Sequence, residues 1–318
     1  MKKIASLGLI LFLILFTFDL CKKPLSKTEE MLQFIPKQVQ GVLFADFQKI
    51  METNIADETI KESKLKNKYQ KFIQKSGINP KKDLHAMALA VMEKKEQAER
   101  KGVAVFNLNY TRDKLLSLAQ KEGPELTKNQ YNGIIIYSTP QEKENKKQES
   151  FAFLDDSHIV VGNDSGVKSV IDVAEGREEN VHQNEALADL LGKTNQQGML
   201  WGGMMFSPQT MEKLASDNPM LRNLKSLHSA SLYLDYKNKN LITEIKMTSS
   251  DETKIQELVD LLNGIKALGS MASEKRPEIG ELLKKIEITA QPEYAQISAH
   301  IPDELLQKFK KRALEKVE

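Results

Sequence analysis

Cysteine is nearly absent from this 318-residue chain, the only one being Cys21. No intramolecular disulfide can form, so packing alone must hold the fold. Aromatic residues make up 6%, with 1 tryptophan, which leaves little for the stacking platforms that bind single-stranded nucleic acids. An excess of one charge is missing too. The chain carries 46 basic and 44 acidic residues, net +2, far from the positive field of a nucleic-acid binder. No catalytic or cofactor motif rises above background. What is present, 40% apolar and 28% charged residues, describes an ordinary globular chain with room for one large or two modest domains.

Long apolar runs are confined to the amino terminus. Lys2 and Lys3 precede a stretch from Ile4 to Phe18, closed by Asp19. A helix of about 15 residues reaches roughly 22 Å, short of the ~30 Å core of a bilayer. This pattern predicts a signal peptide over residues 1–20 and export from the cytosol. Cys21 stands just beyond it. That placement resembles the acceptor cysteine of bacterial lipoproteins, where lipid joins the thiol and cleavage leaves cysteine first. The usual box is Leu, two small residues, then Cys; Phe18, Asp19 and Leu20 depart from it at every position. The resemblance implies a triacylated terminus, and stable anchoring requires more than one chain, at ~0.8 kcal/mol per buried CH₂. A free cysteine beside an uncleaved anchor, or conventional cleavage nearby, are the alternatives.

Beyond a tether and short helix over 21–35, the sequence echoes itself. Gln40-Gly41-Val42-Leu43-Phe44 returns as Gln197-Gly198-Met199-Leu200-Trp201, and Leu84 to Leu89 returns as Leu227 to Leu232. Each first strand leads to a helix signal, Asp46 in one case and Ser207-Pro208 in the other. Second strands follow at Gly102 to Asn109 and Leu241 to Thr248, then helices. One opens at Thr111; the other reads as the capping box Ser249-x-x-Glu252, with Ile255, Leu258, Val259, Leu261, Leu262 and Ile265 on one face. Strands at Gly133 to Tyr137 and Ile286 to Ala290 come next. The halves close with helices at Asp164 to Glu175 and Asp303 to Glu315.

Each half therefore reads β-α-β-β-α-β-β-α, an α+β class with antiparallel sheets and split β-α-β, ferredoxin-like character. The expected repeats are 36–195 and 196–318, divided after a helix at Glu185 to Gly192. The first is enlarged by a helix near Ile55 to Ser76 and a hairpin at Asp155-Asp156-Ser157. The layout around Phe34-Ile35-Pro36, Phe44-Ala45-Asp46-Phe47 and Tyr131-Asn132-Gly133 to Tyr137 resembles a loose group of uncharacterised bacterial secreted proteins and lipoproteins. That resemblance implies an envelope location and no particular activity.

Candidate chemistry is sparse. His85, His158, His182, His228 and His300 show no ligand spacing, so no metal and no cofactor is expected. Met199, Met204, Met205 and Met211 invite a soft-metal reading, but neighbours on a strand point to opposite faces and methionine is a common core filler. Gly198, Gly202 and Gly203 around Trp201 fit a tightly packed strand rather than a phosphate loop. Asp155, Asp156, Ser157 and His158 are expected to form a turn, contiguity denying them a triad's geometry. Glu142 to Glu149 reads as a solvated loop. Lys308, Lys310, Lys311 and Arg312 read as the outer side of a terminal helix complementing its dipole.

These readings converge on a non-enzymatic envelope protein. It would be membrane-anchored through Cys21 and face the periplasm or cell surface. Its role would be structural, or the binding of an envelope protein partner, with no nucleic acid involved. The competing expectation is an exported soluble or signal-anchored binder of a small apolar ligand, held between sheet and helices. A hydrolase assembled from distant residues ranks last.

Overall fold

A computed structural model describes residues 25–61, 63–92, 102–140, 148–217, 224–249 and 251–315. The signal segment, Cys21 and most of the Glu142 to Glu149 loop lie outside the described residues. Among the described residues twelve strands form one sheet: β1 (Val39–Asp46), β2 (Leu84–Met92), β3 (Gly102–Leu108), β4 (Thr127–Tyr131), β5 (Ile134–Ser138), β6 (Ser150–Phe153), β7 (His158–Gly162), β8 (Leu200–Met205), β9 (Leu227–Lys237), β10 (Asn240–Ser249), β11 (Ile286–Ala290) and β12 (Tyr294–Pro302). The spatial order is β11-β12-β10-β9-β8-β1-β2-β3-β7-β6-β5-β4, and every neighbouring pair is antiparallel.

The α+β class with antiparallel pairing holds. The split β-α-β plan does not, because it needs a parallel neighbour and these strands have none. Each half is instead a three-strand meander whose third strand pairs with the last: β3 with β7, and β10 with β12. The halves do not build separate sheets. They share one through β1 and β8, where Phe44 lies opposite Trp201.

That register also corrects the sequence alignment of the halves. Phe44 pairs with Ala88 in β2, whereas Trp201 pairs with Tyr233 in β9. The two echoes are thus out of step by two residues. A shift of two preserves which side of the sheet a residue faces, so the hydrophobic pattern survives it.

Twelve α-helices flank the sheet among the described residues. On the front, the side carrying Phe44 and Trp201, lie α1 (Lys27–Leu32), α7 (Asp164–Ala174) and α8 (Glu185–Gly192). Between β1 and β2 come α2 (Phe47–Met51), α3 (Asn54–Lys61), α4 (Ser63–Ser76) and α5 (Pro80–Asp83). The helix expected near Ile55 to Ser76 is seen as α3 and α4, with residue 62 outside the described residues, and it ends at Gly77, φ 72°. On the back, α6 (Arg112–Glu122) covers one end of the sheet. The other end carries α9 (Pro208–Asp217), α10 (Glu252–Met271) and α11 (Pro277–Lys284). The last helix, α12 (Asp303–Glu315), packs on β12 and α11, with Lys308 Nζ 2.7 Å from Glu281 Oε2.

Local chemistry explains the helix starts. Asp46 Oδ1 accepts from the Lys49 N–H at 3.1 Å, and Ser207 Oγ accepts from Thr210 N–H at 3.2 Å. The expected Ser249 cap is replaced by Asp251, whose carboxylate accepts from the Thr253 and Lys254 N–H groups; Ser249 ends strand β10. Asn184 does two jobs. It caps α8, and its Nδ2 donates to the Lys37 and Val39 carbonyls, tying that helix to the start of β1.

The main core is on the front. Val42, Phe44, Ala88, Val105, Val160 and Trp201 are closed over by Met31, Val167, Val170, Ile171, Leu187 and Leu191. Trp201 is fully buried, and its Nε1 has no hydrogen-bond partner among the described residues. Gly203 permits this packing, since a Cβ there would lie 2.8 Å from Leu190 Cδ2 on α8.

Candidate functional site

The titratable candidates do not assemble. His85 Nδ1 is 2.8 Å from Gln48 Nε2, His182 Nε2 is 3.4 Å from Glu29 Oε2, and His228 is exposed on β9. No group of three metal-ligating His, Cys, Asp or Glu side chains occurs among the described residues. Met204 and Met205 face opposite sides of the sheet, and Met211 is buried against Leu227 and Ile255.

The Asp155-Ser157-His158 group makes a closer contact than contiguity was expected to allow. His158 Nδ1 is 2.8 Å from Asp155 Oδ2 and 3.2 Å from Ser157 Oγ, while Nε2 faces Asn107 Nδ2 at 2.8 Å. Catalytic relay needs serine and aspartate on opposite ring nitrogens. Here both sit on one. The Asp155 carboxylate also accepts from the N–H groups of Ser157 and His158, each at 2.7 Å, so it organises the β6–β7 turn. Burial works to raise the Asp155 carboxyl; the Ser157 N–H and the His158 ring outweigh it and hold it below the usual range.

A different feature stands out on the back of the sheet. One register line starts at Tyr137 and crosses Phe151, Val161, Ala104, Leu89 and Leu43 before reaching Gly202. Past the junction it continues through Leu232, Ile245, Ile297 and Ile288. Every member is apolar except the glycine. Among the described residues, α6 closes over Phe153 and Ile159 at one end, α9 and α10 close over Met247 and Ala295 at the other, and Asn54 and Glu58 of α3 lie beside Tyr236. Between these walls Leu43, Leu89, Leu232 and Ile245 remain half-buried, and Val161 is 39% exposed.

The walls are greasy as well. On α10 the inward stripe of Ile255, Leu258 and Val259 gives way to Ile265, Leu268 and Met271, which are 46%, 65% and 75% exposed. The sequence placed Ile265 on the core face; the helix instead turns Leu262, Lys266 and Gly269 inward, with Lys266 donating to the Ile286 carbonyl of β11, and Ile265 emerges. Leu214 on α9 and Phe72 on α4 are exposed too. An apolar trough bounded by apolar-tipped helices is unusual for a surface with no partner. Sequence reasoning missed it because each strand residue looked like core. No helix of the described residues is long and apolar enough to cross a membrane.

The DUF3352 family model, described as a protein of unknown function, matches residues 103–311, more than half of the chain. The chain belongs to this family. The match runs from β3 into α12 and so takes in both halves of the sheet. No curated protein matches significantly. Among solved structures, crystal form III of TP0453 is 10% identical, with a TM-score of 0.48 over 86% of this chain and 95% of that one. Crystal forms I and IV of TP0453 have TM-scores of 0.44 and 0.43 at 10% and 11% identity. Each covers 87% of this chain, and 94% and 95% of its own.

Proposed function

We propose that the chain is a non-enzymatic envelope protein, exported by its leader and anchored through lipid on Cys21, whose body receives another envelope component on the apolar trough. The observation that carries the interaction role is the uncovered register line on the back of the sheet. Apolar side chains left open to water there disfavour an isolated molecule, at about 25 cal/mol per Å² left unburied. The lack of any convergent catalytic set among the described residues supports a binding role. The two halves fit an internal duplication, with the division near residue 195.

A second reading is favoured by the same trough: an exported binder of one small apolar ligand, bedded between the helical walls. Native mass spectrometry of detergent-free protein separates the two, since a small retained adduct supports this reading and a bare chain supports the first. Metabolic labelling with a fatty acid tests the anchor. Wild type should take up label and Cys21→Ala should not. Equal label in both would remove the lipid from the proposal. For the trough, 1-anilinonaphthalene-8-sulfonate should fluoresce with native protein, and Leu232→Glu should reduce the signal several-fold. No signal from wild type would count against an accessible apolar strip.

A further inference from the structure

We infer that the front of the second half is a binding site for a neutral, polyhydroxylated ligand of the saccharide class. A cleft of about 750 Å³ opens there between α8 and the turn joining β11 to β12. That volume lies within the range of small-molecule sites, about 300–1,000 Å³. It stands on the opposite side of the sheet from the apolar trough and does not depend on it.

The floor is made of two register lines. One runs Met205, Ser229, Thr248, Tyr294; the other runs Gly203, Ser231, Lys246, Gln296. Ser229 and Ser231 are only 3% and 9% exposed, and both line the cleft. Neither hydroxyl hydrogen-bonds to another described residue, although each can donate one bond and accept two. Neither oxygen is among the sealed, partnerless polar atoms of the described residues, so both hydroxyls are open to a ligand in the cleft.

Charge narrows the class. Lys193 Nζ is 2.7 Å from Asp189 Oδ2, and Lys246 Nζ is 2.9 Å from Glu244 Oε1, so both cations are already neutralised. Glu252 and Glu293 add further carboxylates to the rim. Among the described residues that line the cleft, a phosphate or other anion would meet no lysine or arginine free of a carboxylate partner. A sugar suits the same surface. Its hydroxyls exchange hydrogen bonds with Ser229, Ser231 and the rim carboxylates, and its C–H face rests on the Tyr294 ring. That ring is fixed by Lys246 Nζ 5.4 Å from its centroid.

The test is isothermal titration calorimetry on the full chain with maltotriose, cellotriose and chitotriose, run beside inorganic phosphate and spermidine. At least one trisaccharide should bind saturably. The double substitution Ser229→Ala with Ser231→Ala should weaken it about tenfold or more, from two lost hydrogen bonds of about 1 kcal/mol each. Its melting temperature should stay near wild type, because the first half already carries Ala86 and Ala88 on this face. Leu268→Gln, on the other side of the molecule, should leave binding unchanged. The inference fails if no trisaccharide binds, if phosphate or spermidine binds in their place, or if the double variant binds as tightly as wild type.

Discussion

On the front of the sheet, the two halves follow the same strand order and end as opposites. In the first, Ala86, Ala88 and Ala90 are at most 1% exposed beneath α1 and α7. In the second, Ser229 and Ser231 take the matching face and Tyr233 follows them, with α8 covering only the inner edge. The cause lies in one helix. After β7 the chain lays α7 across the front, whereas after β12 it turns α12 toward α11, a neighbour of the back-side helix α10. Side-chain size and polarity follow that choice. Small apolar residues let a helix settle; hydroxyls and a Lys246–Glu244 pair keep the surface wet.

The sharpest way to break this contrast is to place one carboxylate in each half. Ala88→Asp should cost more than about 4 kcal/mol, burying an unpaired charge, while Ser231→Asp should cost about 1 kcal/mol or less. Urea denaturation of both variants checks it, and equal losses would mean that the second half is as closed as the first. The junction between the halves comes next. Trp201→Ala should lose about 3–5 kcal/mol, but Trp201→Phe less than about 1.5 kcal/mol, because the buried indole N–H has no partner among the described residues to forfeit.

Acid should act on both halves. In the first, burial raises the Asp172 carboxyl, but Tyr131, Arg177 and Asn132 outweigh it and hold it below the usual range. In the second, burial likewise opposes and Lys237 chiefly lowers Asp235. A depressed folded value means that the stabilisation is fully present above the unfolded value, about 3.9, and is lost as pH falls through the folded one. Melting temperature should therefore be insensitive to these groups from about pH 5 upward and drop below about pH 4. Asp172→Asn and Asp235→Asn should each flatten that drop, and an unchanged acid limb would deny them the role. The smallest effect belongs to the β4–β5 turn. Gly133, at φ 85°, should lose about 1 kcal/mol on Gly133→Ala, although a Cβ would meet nothing within 4 Å.

Much of this architecture was legible in the chain. Helices at Glu185–Gly192 and Asp303–Glu315 and the strand Ile286–Ala290 lie where periodicity and capping residues put them. Strand β4 was missed, although Asn132-Gly133 is a strong hairpin signal; Thr127–Tyr131 is too polar and exposed to look like a strand. The α11 helix was also missed, with Pro277 at its first position as the overlooked mark. Neither candidate surface could be read beforehand. Period-two alternation says which residues share a side of a sheet, but not whether a helix comes to lie on it. That depends on where α12 and α10 end up, a tertiary outcome with no local signature.

The place of β1 has one more consequence. It is among the earliest strands made, yet one of its two neighbours, β8, lies more than 150 positions later in the chain. Until that partner is synthesised, Phe44 and the rest of its row form an unprotected, aggregation-prone edge. A chaperone holding the emerging polypeptide would be needed longest there. Two polypeptides separated near Asn195 should each precipitate alone and recover a soluble assembly when mixed.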